Sequence, residues 1–131
     1  MTRFVIDPPT LVQIVATGVP VAAGHQIVAP NSIRSRALEL LFAAVQAGTL
    51  TESEALSQHE QLTAMRMRLL GDRVSRRTAW RLAMEQGWEG LLDAEYIALA
   101  RLQADALITI DPRLAARAGG RVPLADLDAL R

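Results

Sequence analysis

The sequence predicts an α/β fold built on a small, mainly parallel sheet with helices on both faces. Three observations carry that expectation. Phe4-Val5-Ile6, Gln26-Ile27-Val28-Ala29 and Ala106-Leu107-Ile108-Thr109-Ile110 are short runs rich in β-branched residues, each stopped soon afterwards by proline. The segments between them carry apolar residues at helical spacing, and crossovers of that kind join parallel strands. The chain has 131 residues, half of them hydrophobic. That length buries roughly two-thirds of the unfolded surface around one core, so residues 1–131 are expected to form a single domain.

In chain order, Phe4-Val5-Ile6 reads as a buried strand ended at Asp7 by Pro8-Pro9. Thr10 is then expected to cap a helix carrying Leu11, Val12, Ile14 and Val15, closed by Gly18. The strand Gln26–Ala29 stops at Pro30, and Asn31 or Ser32 caps a helix running to about Ala47. In that helix Ile33, Ala37, Leu40, Leu41, Ala44 and Val45 form a stripe that Leu38 and Phe42 widen, so it is expected to be largely buried. Thr51-Glu52-Ser53-Glu54 is a capping box opening a helix expected to reach the Met65 to Leu70 region before Gly71. A short strand is expected at Arg73-Val74 and a helix from Ser75 to Gln86, with Trp80 and Trp88 assigned to the core. Asp93 opens the next helix, and Ala106–Ile110 is the clearest strand of the chain. Asp111-Pro112 begins a short helix to Ala118, and Arg121-Val122-Pro123 reads as an edge strand.

Composition narrows the chemistry. Fourteen arginines balance fourteen acids, and lysine and cysteine are absent. Disulfides, zinc ribbons and thiol nucleophiles are therefore excluded, and two distant histidines, His25 and His59, argue against a histidine metal site or triad. No 18-residue apolar run and no signal-peptide order occur, so the expected setting is the cytoplasm, away from membrane. Zero net charge gives no global attraction to nucleic acid, which leaves local patches. Arg66, Arg68, Arg73, Arg76, Arg77 and Arg81 form one, with Asp72 the only acid among them. Within it Arg73, Arg76, Arg77 and Arg81 are candidate RNA contacts, against the plainer reading of a solvated helix face.

The carboxyl ends of parallel strands share one edge of the sheet, where such folds place their ligands. Asp7 and Asp111 end strands and Asp93 begins a helix that can face the same edge. Each alone has an ordinary structural use as a turn or capping residue. Together they are three acids whose mutual repulsion a cation would relieve, and an oxygen-only donor set suits Mg²⁺ or Mn²⁺.

The runs Phe4-Val5-Ile6-Asp7, Leu92-Asp93-Ala94-Glu95-Tyr96-Ile97-Ala98-Leu99-Ala100 and Leu107-Ile108-Thr109-Ile110-Asp111-Pro112-Arg113-Leu114 resemble the PIN-domain ribonucleases, above all the VapC toxins of toxin-antitoxin pairs. The resemblance implies a PIN-like fold and Mg²⁺- or Mn²⁺-dependent cleavage of single-stranded RNA. It also implies a small antitoxin-like protein as partner and pairing of two copies. Asp7, Asp93 and Asp111 fall on the family's acidic positions, and Thr109 on the hydroxyl residue that precedes the last acid. Two departures stand out: Arg36 occupies the usual glutamate position, with Glu39 the nearest acid on that helix, and Pro8-Pro9 removes two backbone donors beside Asp7.

Two functions follow. One is a metal-dependent endoribonuclease with Asp7, Asp93 and Asp111 as ligands and Thr109 beside them in the catalytic site, Glu39 being either a further ligand or a surface charge. The other is a PIN fold that has lost catalysis and binds an antitoxin-like protein or RNA, with the Arg36 guanidinium replacing the metal and pairing with Asp7 or Asp93. A receiver domain and a phosphate-loop nucleotide site both call for a lysine that the chain lacks. Met65, Met67, Leu69 and Leu70 are assigned to the core by default, with a dimer or partner surface as the alternatives.

Overall fold

The computed structural model describes residues 1–131. Its elements are β1 (Thr2–Ile6), α1 (Pro8–Thr17), β2 (His25–Pro30), α2 (Ile33–Gln46), α3 (Glu52–Ala64), β3 (Arg68–Leu70), α4 (Arg73–Gln86), α5 (Leu92–Gln103), β4 (Ala106–Ile108), α6 (Pro112–Ala118) and β5 (Leu124–Ala125). A 3-10 turn at Leu127–Leu130 closes the chain. The five strands are all parallel in the order β3-β2-β1-β4-β5, with Val5 of the central β1 beside Val28 on one side and Leu107 on the other. The α/β class and the parallel sheet are those read from the sequence.

Phe4, Val5 and Ile6, Ile27, Val28 and Ala29, and Ala106, Leu107 and Ile108 are all buried, on both faces of their strands. That is why these strands read as unbroken apolar runs: in a parallel sheet the crossover helices cover both sides. The helices α1, α2 and α3 contact one another, and α5 contacts α4, α6 and the three central strands. The contact between α4 and α5 is made by Ala79 and Ala83 against Ala94 and Ala98, small side chains that let the two helices lie close.

Local signals account for most boundaries. Pro8 and Pro9 fill the first positions of α1, where the amide hydrogens they lack have no helical partner in any case. The predicted capping box is present: the Thr51 hydroxyl accepts from the Glu54 amide and the Glu54 carboxylate accepts from the Thr51 amide, each at 3.1 Å. Gly18 and Gly87 end their helices at φ of 70° and 68°, a conformation that an L side chain resists.

The structure corrects several expectations. Thr10 does not cap α1, because the helix already begins at Pro8 and Thr10 is buried in its first turn. Helix α2 is not largely buried: Ile33, Ala37 and Leu41 face the core while Leu38, Leu40 and Phe42 are exposed, since only one narrow face meets α1 and α3. Helix α3 stops at Ala64, and Arg68–Leu70 forms the edge strand β3 instead, pairing Leu69 with Ala29. Met65, Met67, Leu69 and Leu70 are therefore half-buried parts of a connection and a strand, packed against the core. Arg73-Val74 opens α4, with Asp72 capping it, and is not a strand. The last strand lies at Leu124–Ala125 and β4 ends at Ile108, so Thr109 and Ile110 belong to the loop beyond it. Trp80 is 60% exposed, because the alanine face of α4 points inward and Trp80 projects from the opposite side.

Candidate active site

Strands β1 and β4 are neighbours at the centre of the sheet, and the connections leaving them run toward opposite edges. Their carboxyl ends thus flank a topological switch point, where open α/β sheets form their ligand crevice. Asp7 follows β1 directly and Asp111 caps α6 just beyond β4. Asp93 comes from the first turn of α5, and Arg36 and Glu39 come from α2. Asp7, Glu39, Asp93 and Asp111 line one cavity of about 430 Å³ there, together with Arg36 and Arg113. A larger cavity of about 600 Å³, near Val19 and the two methionines Met65 and Met67, contains no acid.

Asp7 is the most enclosed of the four acids, 3% exposed, and two threonines hold its carboxylate. The Thr10 hydroxyl donates to Oδ1, and the Thr109 hydroxyl donates to Oδ2 at 2.9 Å. Each hydroxyl also accepts a backbone amide at 3.0 Å, Ile110 on Thr10 and Asp111 on Thr109. Because the amides occupy the threonine oxygens as acceptors, the single hydroxyl proton of each is aimed at Asp7. The end of β1 is thereby tied to the loop that presents Asp111. The role of Thr10 was not legible in the sequence, where its place after two prolines looked like a cap; its signal was the spacing of a hydroxyl one helical turn after Asp7.

Burial pushes the Asp7 carboxyl above the ordinary aspartate value, outweighing the two threonine hydrogen bonds, and the nearby Asp111 charge adds to the rise. An aspartate whose folded pKa is raised carries a stability penalty that grows as pH rises from the unfolded value of 3.8 through the folded one and is constant above it. Asp7→Asn, which keeps the outline, removes that penalty but sets its amide NH2 against one of the two threonine hydroxyls that donate to Asp7, so its expected signature lies in the pH dependence of stability and not in a net gain at pH 7. The part of the wild type's fall in stability that begins near 3.8, the ordinary aspartate value, and ends above the raised Asp7 titration is expected to be missing in the variant. Thermal unfolding in chelator from acid to neutral pH checks both the sign and the window.

Asp93, 5% exposed, is held by arginine. Its Oδ2 lies 3.0 Å from Nη1 of Arg117 and 3.2 Å from Nε of Arg113. Both arginines also reach the exposed Glu89, and the Arg117 guanidinium stacks on Trp88 at 4.7 Å from the ring centroid. Trp88 is accordingly half-buried beneath arginine. The pairing of Asp93 comes from α6, from arginines two and six residues after Asp111, and was not read from the sequence.

Arg36 lines the cavity but makes no ion pair with Asp7 or Asp93, contrary to the expectation for a guanidinium replacing a metal. The cations on Asp93 are Arg113 and Arg117, both from α6. The Nε of Arg36 and the hydroxyl of Tyr96 are both buried without a hydrogen-bond partner. Tyr96 also lines the cavity, and burial followed by the Asp7 charge keeps its phenol protonated far above the usual range. Asp111 retains its local duty as well, accepting the Arg113 amide at 2.9 Å through Oδ1. The four acids share one cavity, yet no three acids or histidines stand within reach of a single ion.

No family model matches the sequence, and no curated protein matches it. The structure does match solved ones. PAE2754 from Pyrobaculum aerophilum superposes with a TM-score of 0.72 at 19% identity, covering 98% of this chain and 93% of that one. VapBC-1 from nontypeable Haemophilus influenzae superposes with a TM-score of 0.63 at 16% identity, covering 97% of this chain and 99% of that one. At these identities the likeness establishes the fold, which is the PIN-like arrangement expected from the sequence, over nearly the whole chain.

Proposed function

We propose that the chain is a metal-dependent endoribonuclease of the VapC toxin type, with Asp7, Asp93 and Asp111 as carboxylate ligands of Mg²⁺ or Mn²⁺ and Glu39 as an additional acid at the rim. The observation that carries the reading is the convergence of four carboxylates, from four separate stretches of sequence, on one cavity at the switch point of the sheet. The donors fit a hard divalent ion in kind, being all oxygen. Oδ1 of Asp93 and Oδ2 of Asp111 accept no hydrogen bond, and the unpartnered Tyr96 hydroxyl lines the same space. Such an ion supplies an activated water and neutralises charge growing on a scissile phosphate. Thr109 and Thr10 act as positioning residues that orient Asp7, and Arg36 and Arg113 offer guanidinium donors to phosphate oxygens. Likeness to VapBC-1 supports a small antitoxin-like protein as partner, and pairing of two copies belongs to the same reading.

A second reading, a binding module without catalysis, is favoured by one specific observation. Arg117 and Arg113 already neutralise Asp93, so part of the charge a cation would answer is met by the protein itself. Incubation of the pure protein with single-stranded RNA in Mn²⁺ and in chelator separates the two. Internal cleavage that requires the metal supports the nuclease; intact RNA in both, from folded protein, supports the module.

A further inference from the structure

Helix α4 presents a charged and aromatic face with no partner in the fold. Its inner side is Ser75, Ala79 and Ala83, all buried. On the outer side Arg73, Arg77 and Arg81 are exposed, with Trp80 60% and Met84 68% exposed among them. At 100° per residue these five fall within one outward stripe, about 17 Å long from residue 73 to residue 84. None of the three arginines makes an ion pair or a side-chain hydrogen bond, and Glu85 is the only acid on the helix. Stability does not ask for this arrangement. Cations in the opening turns of a helix oppose its macrodipole, and the one acid at that end, the capping Asp72, forms no ion pair with any of the three. The other tryptophan, Trp88, is covered by the guanidiniums of Arg117 and Arg121, which leaves Trp80 as the free indole.

We infer that the outer face of α4 binds single-stranded RNA, Trp80 stacking on a base while Arg73, Arg77 and Arg81 hold phosphates on either side of it. Charge complementarity selects a polyanion: the whole chain is neutral, so this cationic stripe is a local feature and not a general excess. The exposed indole selects an unpaired strand, since only unstacked bases offer a face to it. Helix α4 packs on α5, which carries Asp93, so the surface belongs to the layer that also builds the acidic cavity. The inference rests on the RNA reading above for the identity of its ligand, and its test needs neither metal nor cleavage.

The experiment is a titration of the full chain into a short, labelled, mixed-sequence single-stranded oligoribonucleotide in chelator, followed by anisotropy at several salt concentrations. Asp93→Asn is run in parallel, so that a failed nuclease and a failed surface give different results: an inactive nuclease still binds if the surface is right. Trp80→Ala is expected to weaken binding roughly five- to a hundredfold, the range of a lost base stack, and Trp80→Phe to recover part of it. Arg77→Ala is expected to flatten the dependence of log K on log salt by about 0.7, one phosphate contact on a single strand. These positions are exposed, so the variants are expected to keep the wild-type unfolding midpoint. Binding that is unchanged in Trp80→Ala, or equal for duplex RNA, overturns the inference. So does a wild-type dimer that Trp80→Ala converts to monomer without loss of RNA binding, which makes the stripe an interface between copies.

Discussion

Asp93→Asn is expected to lower metal-dependent RNA cleavage by about a thousandfold, roughly 4 kcal/mol of transition-state stabilisation. The substitution keeps the volume of the side chain and its place in the first turn of α5, but removes the charge that an ion would use. Folding should change little by comparison. The Arg113 and Arg117 guanidiniums keep Glu89 as a carboxylate partner, and an amide oxygen can still accept from Nη1 of Arg117. Single-turnover cleavage beside urea unfolding separates the two effects. A loss of activity that merely tracks a loss of folded protein would remove Asp93 from the chemistry and return it to structure.

Arg117→Ala is expected to have the largest effect on stability among the site variants. Asp93 is buried, and Arg117 is its closest cation and only 21% exposed, so truncation leaves a desolvated carboxylate with the more exposed Arg113 alone. Breaking a buried pair from one side costs about 3–5 kcal/mol; with Arg113 retained, a loss of about 2 kcal/mol is expected in metal-free buffer. The same change relieves Asp93 of a competing charge, so the nuclease reading expects Mn²⁺ to raise the Tm of Arg117→Ala by more than it raises that of the wild type. Thermal unfolding of both proteins with and without Mn²⁺ measures the difference. Equal shifts would show that Arg117 and a metal do not meet at Asp93. Arg117→Lys keeps the charge but not the fork that serves Asp93 and Glu89 together, and should fall between.

What was legible in the sequence follows the range of the forces involved. Strands β1, β2 and β4 were readable because burial on both faces demands unbroken apolar runs, and the opening of α3 because the Thr51 and Glu54 pair is a contact between near neighbours. The acids Asp7, Asp93 and Asp111 could be placed on one edge because strand direction and helix starts decide it. Exposure of Trp80 was not readable: apolar residues occur on both sides of α4, and only the alanine contact with α5 decides which side turns inward. β3 was misplaced because an edge strand of three residues with an exposed arginine carries little pattern of its own, and its pairing with Ala29 and Pro30 is set by the sheet. The same holds for the arginine pairing at Asp93, whose partners lie on α6. A cation near the acids was expected from Arg36, yet long side chains from a different helix reached Asp93 instead. Side-chain reach across elements is not written in spacing along one of them.

The most direct test of the central claim is calorimetric titration of Mn²⁺ into the purified protein, with Asp93→Asn as control. The nuclease reading predicts saturable binding that is lost in the control and weakens as pH falls and the raised Asp7 carboxyl takes up its proton. Absence of binding to folded wild-type protein contradicts it, and would mean that Arg113 and Arg117 have taken over the charge balance of the cavity.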